Sequence, residues 1–111
     1  MGLDNGIIAK NRETKKQKDV AYWRKCYGLR GDIFSIIDTQ ETDDYYYPIS
    51  TQNLLKVLKQ LYHYNSKTWS HSIWTWKEIK PSIRKQKRKI LFWYIYSHIN
   101  KNWDFLFYDS Y

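Results

Sequence analysis

Acidic residues are what the second half of this 111-residue chain lacks. From position 51 to 111 only Glu78, Asp104 and Asp109 stand against 11 Lys or Arg, whereas in residues 1–50 eight basic and eight acidic side chains cancel. The whole net charge of +8 therefore belongs to the second half. Cysteine is scarce too. The single Cys26 excludes an internal disulfide and any paired-cysteine metal site, and it suits a reducing, cytoplasmic setting. The longest apolar run, residues 90–96, is far shorter than the ~20 residues that span a bilayer. The opening residues have no basic stretch followed by an apolar one, so no signal peptide is expected. Gly2 lacks the Ser or Thr that a myristoylation motif sets at the place of Gly6. With four Gly and two Pro, no flexible linker is visible, and the length suits one domain, residues 1–111.

Aromatic rings are abundant: six Trp, 11 Tyr and four Phe. At roughly 150–250 Å² each they stabilise even a small core, and one core this size leaves some of them outside. The apolar pattern predicts a strand over residues 3–10, carried by Ile7 and Ile8. Over residues 18–38, Trp23, Tyr27, Phe34 and Ile37 recur near helical spacing, which predicts one long helix or two short ones. A break is expected at Gly28 and Gly31, each costing about 0.5–1 kcal/mol in a helix interior. Residues 38–44 read as an acidic loop. Ser50 or Thr51 is a helix N-cap, with Ile49 and Leu54 placed for a hydrophobic staple. Leu54, Val57, Leu58, Leu61 and Tyr62 then form one stripe of a helix over 51–64. Residues 65–76 read as a loop, 81–100 as a helix opening at Pro81, and 103–108 as a closing strand. The expected fold is α+β: about three main helices packed on a small antiparallel sheet formed by the N- and C-terminal strands.

Lys77, Lys80, Arg84, Lys85, Lys87, Arg88 and Lys89 crowd the start of the last helix, opposed only by Glu78. At about 100° per residue, Lys80, Arg84, Lys87 and Arg88 share one quadrant, while Ile79, Ile83, Gln86, Ile90 and Trp93 share the next. Such a helix can pack one side on a core and lay the other along a phosphate backbone. A merely solvated face is the competing reading. Trp69, Trp74 and Trp76, near Lys67, His71 and Lys77, suit base stacking or anchoring against a partner protein, and equally suit folding back onto the core. Tyr45, Tyr46 and Tyr47, beside Asp43 and Asp44, fit a sheet edge or a protein contact better than a phosphate contact.

Catalytic patterns are weak. His63, His71 and His98 lack zinc-ligand spacing, and Ser70-His71-Ser72 has no nucleophile motif around it. Cys26, beside Lys25 and near Arg24, reads as a half-buried cysteine ahead of a reactive one. Glu78-Ile79-Lys80 matches the E-x-K tripeptide of metal-dependent nucleases, a site that would need Asp4, Asp104 and Asp109 to converge on it. No glycine-rich phosphate loop is present. No enzyme activity, cofactor or metal is expected.

The opening Met1-Gly2-Leu3-Asp4-Asn5-Gly6-Ile7, with Tyr22-Trp23-Arg24-Lys25-Cys26 and the closing Tyr108-Asp109-Ser110-Tyr111, resembles a group of small proteins of bacteriophages, prophages and mobile elements of low-GC bacteria. The group has no agreed biochemical activity, so the resemblance transfers no site residue. It implies a genomic setting in which small proteins without catalytic motifs inhibit host defence, anti-CRISPR proteins among them. The expectation is a cytoplasmic, non-enzymatic inhibitor of a defence ribonucleoprotein such as a CRISPR effector nuclease. Its basic helix would meet guide-RNA or target-DNA phosphates, and Trp69, Trp74 and Trp76 would anchor the partner. The alternatives are a free DNA- or RNA-binding regulator and a small metal-dependent nuclease on Glu78 and Lys80. The oligomeric state is not legible.

Overall fold

The computed structural model of the chain describes residues 4–38, 45–69 and 72–110. They form strands β1 (Asp4–Asn11) and β2 (Gln17–Arg24), helix α1 (Tyr27–Ile36), strand β3 (Tyr46–Ile49), helices α2 (Thr51–His63) and α3 (Trp76–Ile99), and strand β4 (Trp103–Ser110). The strands make one antiparallel sheet in the order β2-β1-β4-β3. The terminal strands β1 and β4 are its central pair, aligned from Asp4 opposite Ser110 to Asn11 opposite Trp103. The fold is α+β, with the chain's two ends joined as expected.

The alternation of β4 shows why. Phe105, Phe107 and Asp109 face inward, and Leu106 and Tyr108 face outward, the two-residue period that puts successive side chains on opposite sheet faces. Asn5, Ile7 and Ala9 of β1 and Tyr47 and Ile49 of β3 share the inward face. Phe34 of α1 meets Tyr47 and Phe107 edge-on, with ring centroids 5.0 and 5.4 Å away, the geometry that ring quadrupoles favour.

The helix expected from residue 18 is corrected. Residues 17–24 are strand β2, in which Tyr22 is exposed and Trp23 is buried. Trp23 and Tyr27 are four apart, which mimics a helical period. What decides is pairing with β1, seeded by a turn in which Asn11 Oδ1 accepts from the amides of Glu13 and Thr14. A bulge follows: Ile7 lies opposite Ala21 and Ile8 opposite Asp19, so Val20 is the extra residue, and both Val20 and Ala21 are buried. The helix starts only at Tyr27, and Gly28 and Gly31 lie inside a single ten-residue helix, without the expected break.

Helix α2 follows the expected stripe except at its end: Leu54, Val57, Leu58 and Leu61 are buried but Tyr62 is exposed, and Ser50 Oγ caps the helix by accepting from Asn53 N at 3.1 Å. Helix α3 begins five residues before the expected Pro81. Thr75 accepts from Glu78 N, and the Glu78 carboxylate reaches back to the Thr75 amide and hydroxyl, a capping box. Two satisfied donors at Thr75 outweigh the start signal of Pro81, which sits inside the helix.

The sheet edges are managed differently. Edge strand β3 contains Pro48, which cannot donate to a further strand. Edge strand β2 is closed by α3, where Gln86 Oε1 accepts from Tyr22 N at 3.1 Å and Lys89 pairs with Asp19.

Candidate nucleic-acid interface

Helix α3 sorts its residues as the spacing implies. Ile79, Ile83, Gln86 and Ile90 are buried against the core, while Lys77, Lys80, Arg84, Lys85 and Arg88 are exposed. Among the described residues none of these five makes an ion pair. The only acid near them in sequence, Glu78, is held by Thr75. The other two cations of the run are diverted. Lys87 Nζ lies over the Tyr62 ring, 4.4 Å from its centroid, and Lys89 holds Asp19. Five cations, along about 17 Å of helix at 1.5 Å per residue, make the described basic surface.

The three tryptophans do not form an open stacking platform. All are half-buried and packed on the core cluster. Trp69 meets Tyr64 edge-on at 5.1 Å, leans on Trp76 at 6.2 Å and donates Nε1–H to the Trp74 carbonyl at 2.9 Å. Trp74 donates to the Arg24 carbonyl at 2.7 Å and so ties the loop before α3 to the end of β2. Its indole borders a groove of about 500 Å³ shared with Tyr22, Arg24, Pro81, Lys85 and Gln86. Trp74 is therefore a ring that shares a groove with the exposed cation Lys85.

The outward sheet face carries a feature that sequence reasoning missed. Tyr22, Gly6, Tyr108 and Tyr46 are successive partners across all four strands. The Tyr108 ring lies over Gly6, where a side chain would collide with it and with the Ala21 carbonyl. Tyr45 stacks parallel on Tyr108, ring centroids 6.0 Å apart, and touches Tyr46 edge-on at 4.6 Å. Tyr22, Tyr45 and Tyr46 are each more than two-fifths exposed. Burial, and then the nearby Asp19, hold the Tyr108 hydroxyl above its usual range. The Tyr22 hydroxyl is also raised, chiefly by donating to Asp4 Oδ1 at 2.9 Å. Tyr22 belongs both to this row and to the Trp74 groove, so the aromatic face and the basic helix meet there. The signal available in the sequence was the outward Tyr108 in the alternation of β4, but the row needs four strands in register.

The groups considered for catalysis lie apart. Asp4 accepts from Tyr22, Asp104 pairs with Arg12, and Asp109 is buried against Arg30 and Asn5. None joins Glu78, and among the described residues no group of His, Cys, Asp and Glu could hold a metal ion. Cys26 is buried at the start of α1, and desolvation pushes its thiol up to about 11, the opposite of an activated cysteine. His98 Nδ1 lies 2.8 Å from the Tyr94 carbonyl within the last turns of α3. His71, Ser70, Asp43 and Asp44 lie outside the described residues. Among the described residues no helix is long and apolar enough to cross a membrane.

Compared with known proteins, this chain matches no family model, no curated protein and no solved structure.

Proposed function

We propose that this is a non-enzymatic protein of a phage or mobile element that binds and blocks a host-defence ribonucleoprotein, most simply an RNA-guided CRISPR nuclease, by occlusion. The observation that carries the nucleic-acid contact is the set of five exposed, unpaired cations on α3: Lys77, Lys80, Arg84, Lys85 and Arg88. Cations without local counter-charges exchange solvent ions for phosphates at little cost, and the released counterions favour binding. Trp74 and Tyr22 set rings beside Lys85, where an unstacked base could lie while its phosphates meet the helix. The defence target comes from the resemblance of the chain ends to proteins of mobile elements; occlusion is the action that a surface of cations and rings can carry without breaking a bond.

A free nucleic-acid-binding regulator is the second reading, favoured by the same cations, and one experiment separates the two. Binding of the wild type and of Arg84→Glu/Arg88→Glu is measured against labelled duplex DNA, single-stranded DNA and hairpin RNA, and against an assembled RNA-guided nuclease whose DNA cleavage is followed in parallel. Tight binding to the assembled complex with loss of cleavage, both weakened in the variant, supports the inhibitor. Equally tight binding to free nucleic acid with cleavage unaffected supports the regulator. Binding unchanged by the double substitution would remove α3 from either reading.

A further inference from the structure

The solvent side of α3 changes character half-way along. Past Arg88 the same face that carries the cations presents Leu91, Phe92, Ile95 and Ile99, which are 39%, 61%, 54% and 77% exposed. Phe92 and Tyr96 stack at 5.9 Å on this side, while Trp93 turns inward against Trp103 and Phe105. The core needs none of the four exposed residues. A contiguous apolar patch on a helix surface marks an interaction site.

From the geometry we infer that this half of α3 is a self-association surface, on which a second copy of the chain packs its own α3 antiparallel about a two-fold axis near Ile95. Lys85, Arg88, Phe92, Ile95 and Ile99 are spaced alternately three and four residues apart, the seam that lets two helices interlock side chains. Charge chooses the orientation. A parallel partner in register would set Lys85 and Arg88 against their own copies, and residues 79–103 contain no acid to relieve them. An antiparallel partner paired about Ile95 overlaps only the uncharged halves, residues 91–99, and sends the two basic halves outward to opposite ends. A foreign helix covering the whole face would have to supply acids for the basic half. A second copy needs none, and a two-fold contact of one patch with itself closes the assembly at two. The rings of Phe92 and Tyr96 are already stacked, which lowers the cost of ordering them at the contact.

The pairing has a consequence that rests on the proposed nucleic-acid contact. Arg84, central in the basic run, is 11 residues from Ile95. At 1.5 Å per residue the two basic centres of the pair stand about 33 Å apart, close to the ~34 Å of one duplex turn.

Sedimentation equilibrium without nucleic acid tests the pairing separately from phosphate binding. The wild type should be a dimer at micromolar to hundred-micromolar concentrations, and Phe92→Glu/Ile95→Glu a monomer with an unchanged far-UV circular dichroism spectrum. Ile95→Cys should form a disulfide-linked dimer on mild oxidation. Arg88→Cys should not, because an antiparallel pair holds those positions far beyond disulfide reach; the native Cys26 is buried and serves as the background. A wild type that stays monomeric throughout overturns the inference. So does a monomer that floats with anionic vesicles through Phe92 and Ile95, which would make the patch a membrane contact. A dimer that survives the double substitution, or cross-linking at position 88 as readily as at 95, overturns the surface or its orientation.

Discussion

Arg30 and Asp109, 79 residues apart in sequence, form a two-point ion pair that joins α1 to the last strand. Arg30 Nε donates to Asp109 Oδ1 and Nη2 to Oδ2, each at 2.8 Å. The side chains are only 13% and 4% exposed. Asn5 Nδ2 donates to the same carboxylate at 2.6 Å, and the guanidinium lies over Phe34, 5.0 Å from the ring centroid. One carboxylate thus collects β1, β4 and α1. Asp109→Ala should destabilise the fold by about 3–5 kcal/mol, since it breaks a buried ion pair and removes the carboxylate to which Asn5 also donates. Urea denaturation at neutral pH measures this. The double variant Arg30→Met/Asp109→Leu should recover much of the loss, and a fall no larger than 1 kcal/mol for Asp109→Ala, about what a surface pair gives, would show that the pair is not needed.

Two glycines should respond oppositely to alanine. At Gly6 a methyl group meets the Ala21 carbonyl and the Tyr108 ring, so Gly6→Ala should cost about 1–3 kcal/mol by overpacking. At Gly31, exposed in α1, nothing lies within 4 Å, and Gly31→Ala should add about 0.5–1 kcal/mol by helix propensity and a less flexible unfolded chain. For a chain this size each kcal/mol moves Tm by about 4–8 °C, which thermal unfolding resolves. Equal shifts in one direction would contradict the packing at Gly6.

Stability should fall at alkaline pH. Burial raises the Cys26 thiol from 9.0 to about 11. The Tyr64 hydroxyl is raised above 10.0 by burial and by donating to Asp32, and burial raises Tyr108 likewise. The folded state holds these protons more tightly than the unfolded chain does. The stability they contribute is therefore whole below about pH 9 and is lost as pH rises through the folded values. Denaturant midpoints should hold from about pH 7 to 9 and then decline, with a smaller decline in Cys26→Ala. A flat profile to about pH 11 would show that neither burial nor the Asp32 bond holds these protons.

If the five exposed cations of α3 each meet a phosphate, the log–log salt slope on duplex DNA should be about −4.5, at 0.9 per phosphate. Arg84→Gln/Arg88→Gln should bring it to about −2.7 by removing two contacts. Fluorescence anisotropy across a salt series reads both values. A slope near zero for the wild type would mean that these lysines and arginines only face solvent.

What the sequence determined by itself is whatever repeats over a few residues. The Leu54–Val57–Leu58–Leu61 stripe, the inner row Ile79–Ile83–Gln86–Ile90 and the alternation of β4 were legible, because periods of 3.6 and 2.0 are properties of a single element. Once the inner row of α3 is placed, its cations must face water, so the basic half of the candidate site was legible as well. Tertiary structure decided the rest. Residues 17–24 became a strand because β1 lay ready to pair with them, against a Trp23–Tyr27 spacing that suits a helix equally well. Trp69, Trp74 and Trp76 all packed on the core cluster, Trp69 between Tyr64 and Trp76, and Trp74 where it also lines the groove beside Lys85. The row Tyr22–Gly6–Tyr108–Tyr46 and the Asn5–Asp109–Arg30 cluster bring together residues up to 104 positions apart. No local period encodes such meetings: they exist only when the two ends of the chain are hydrogen-bonded side by side.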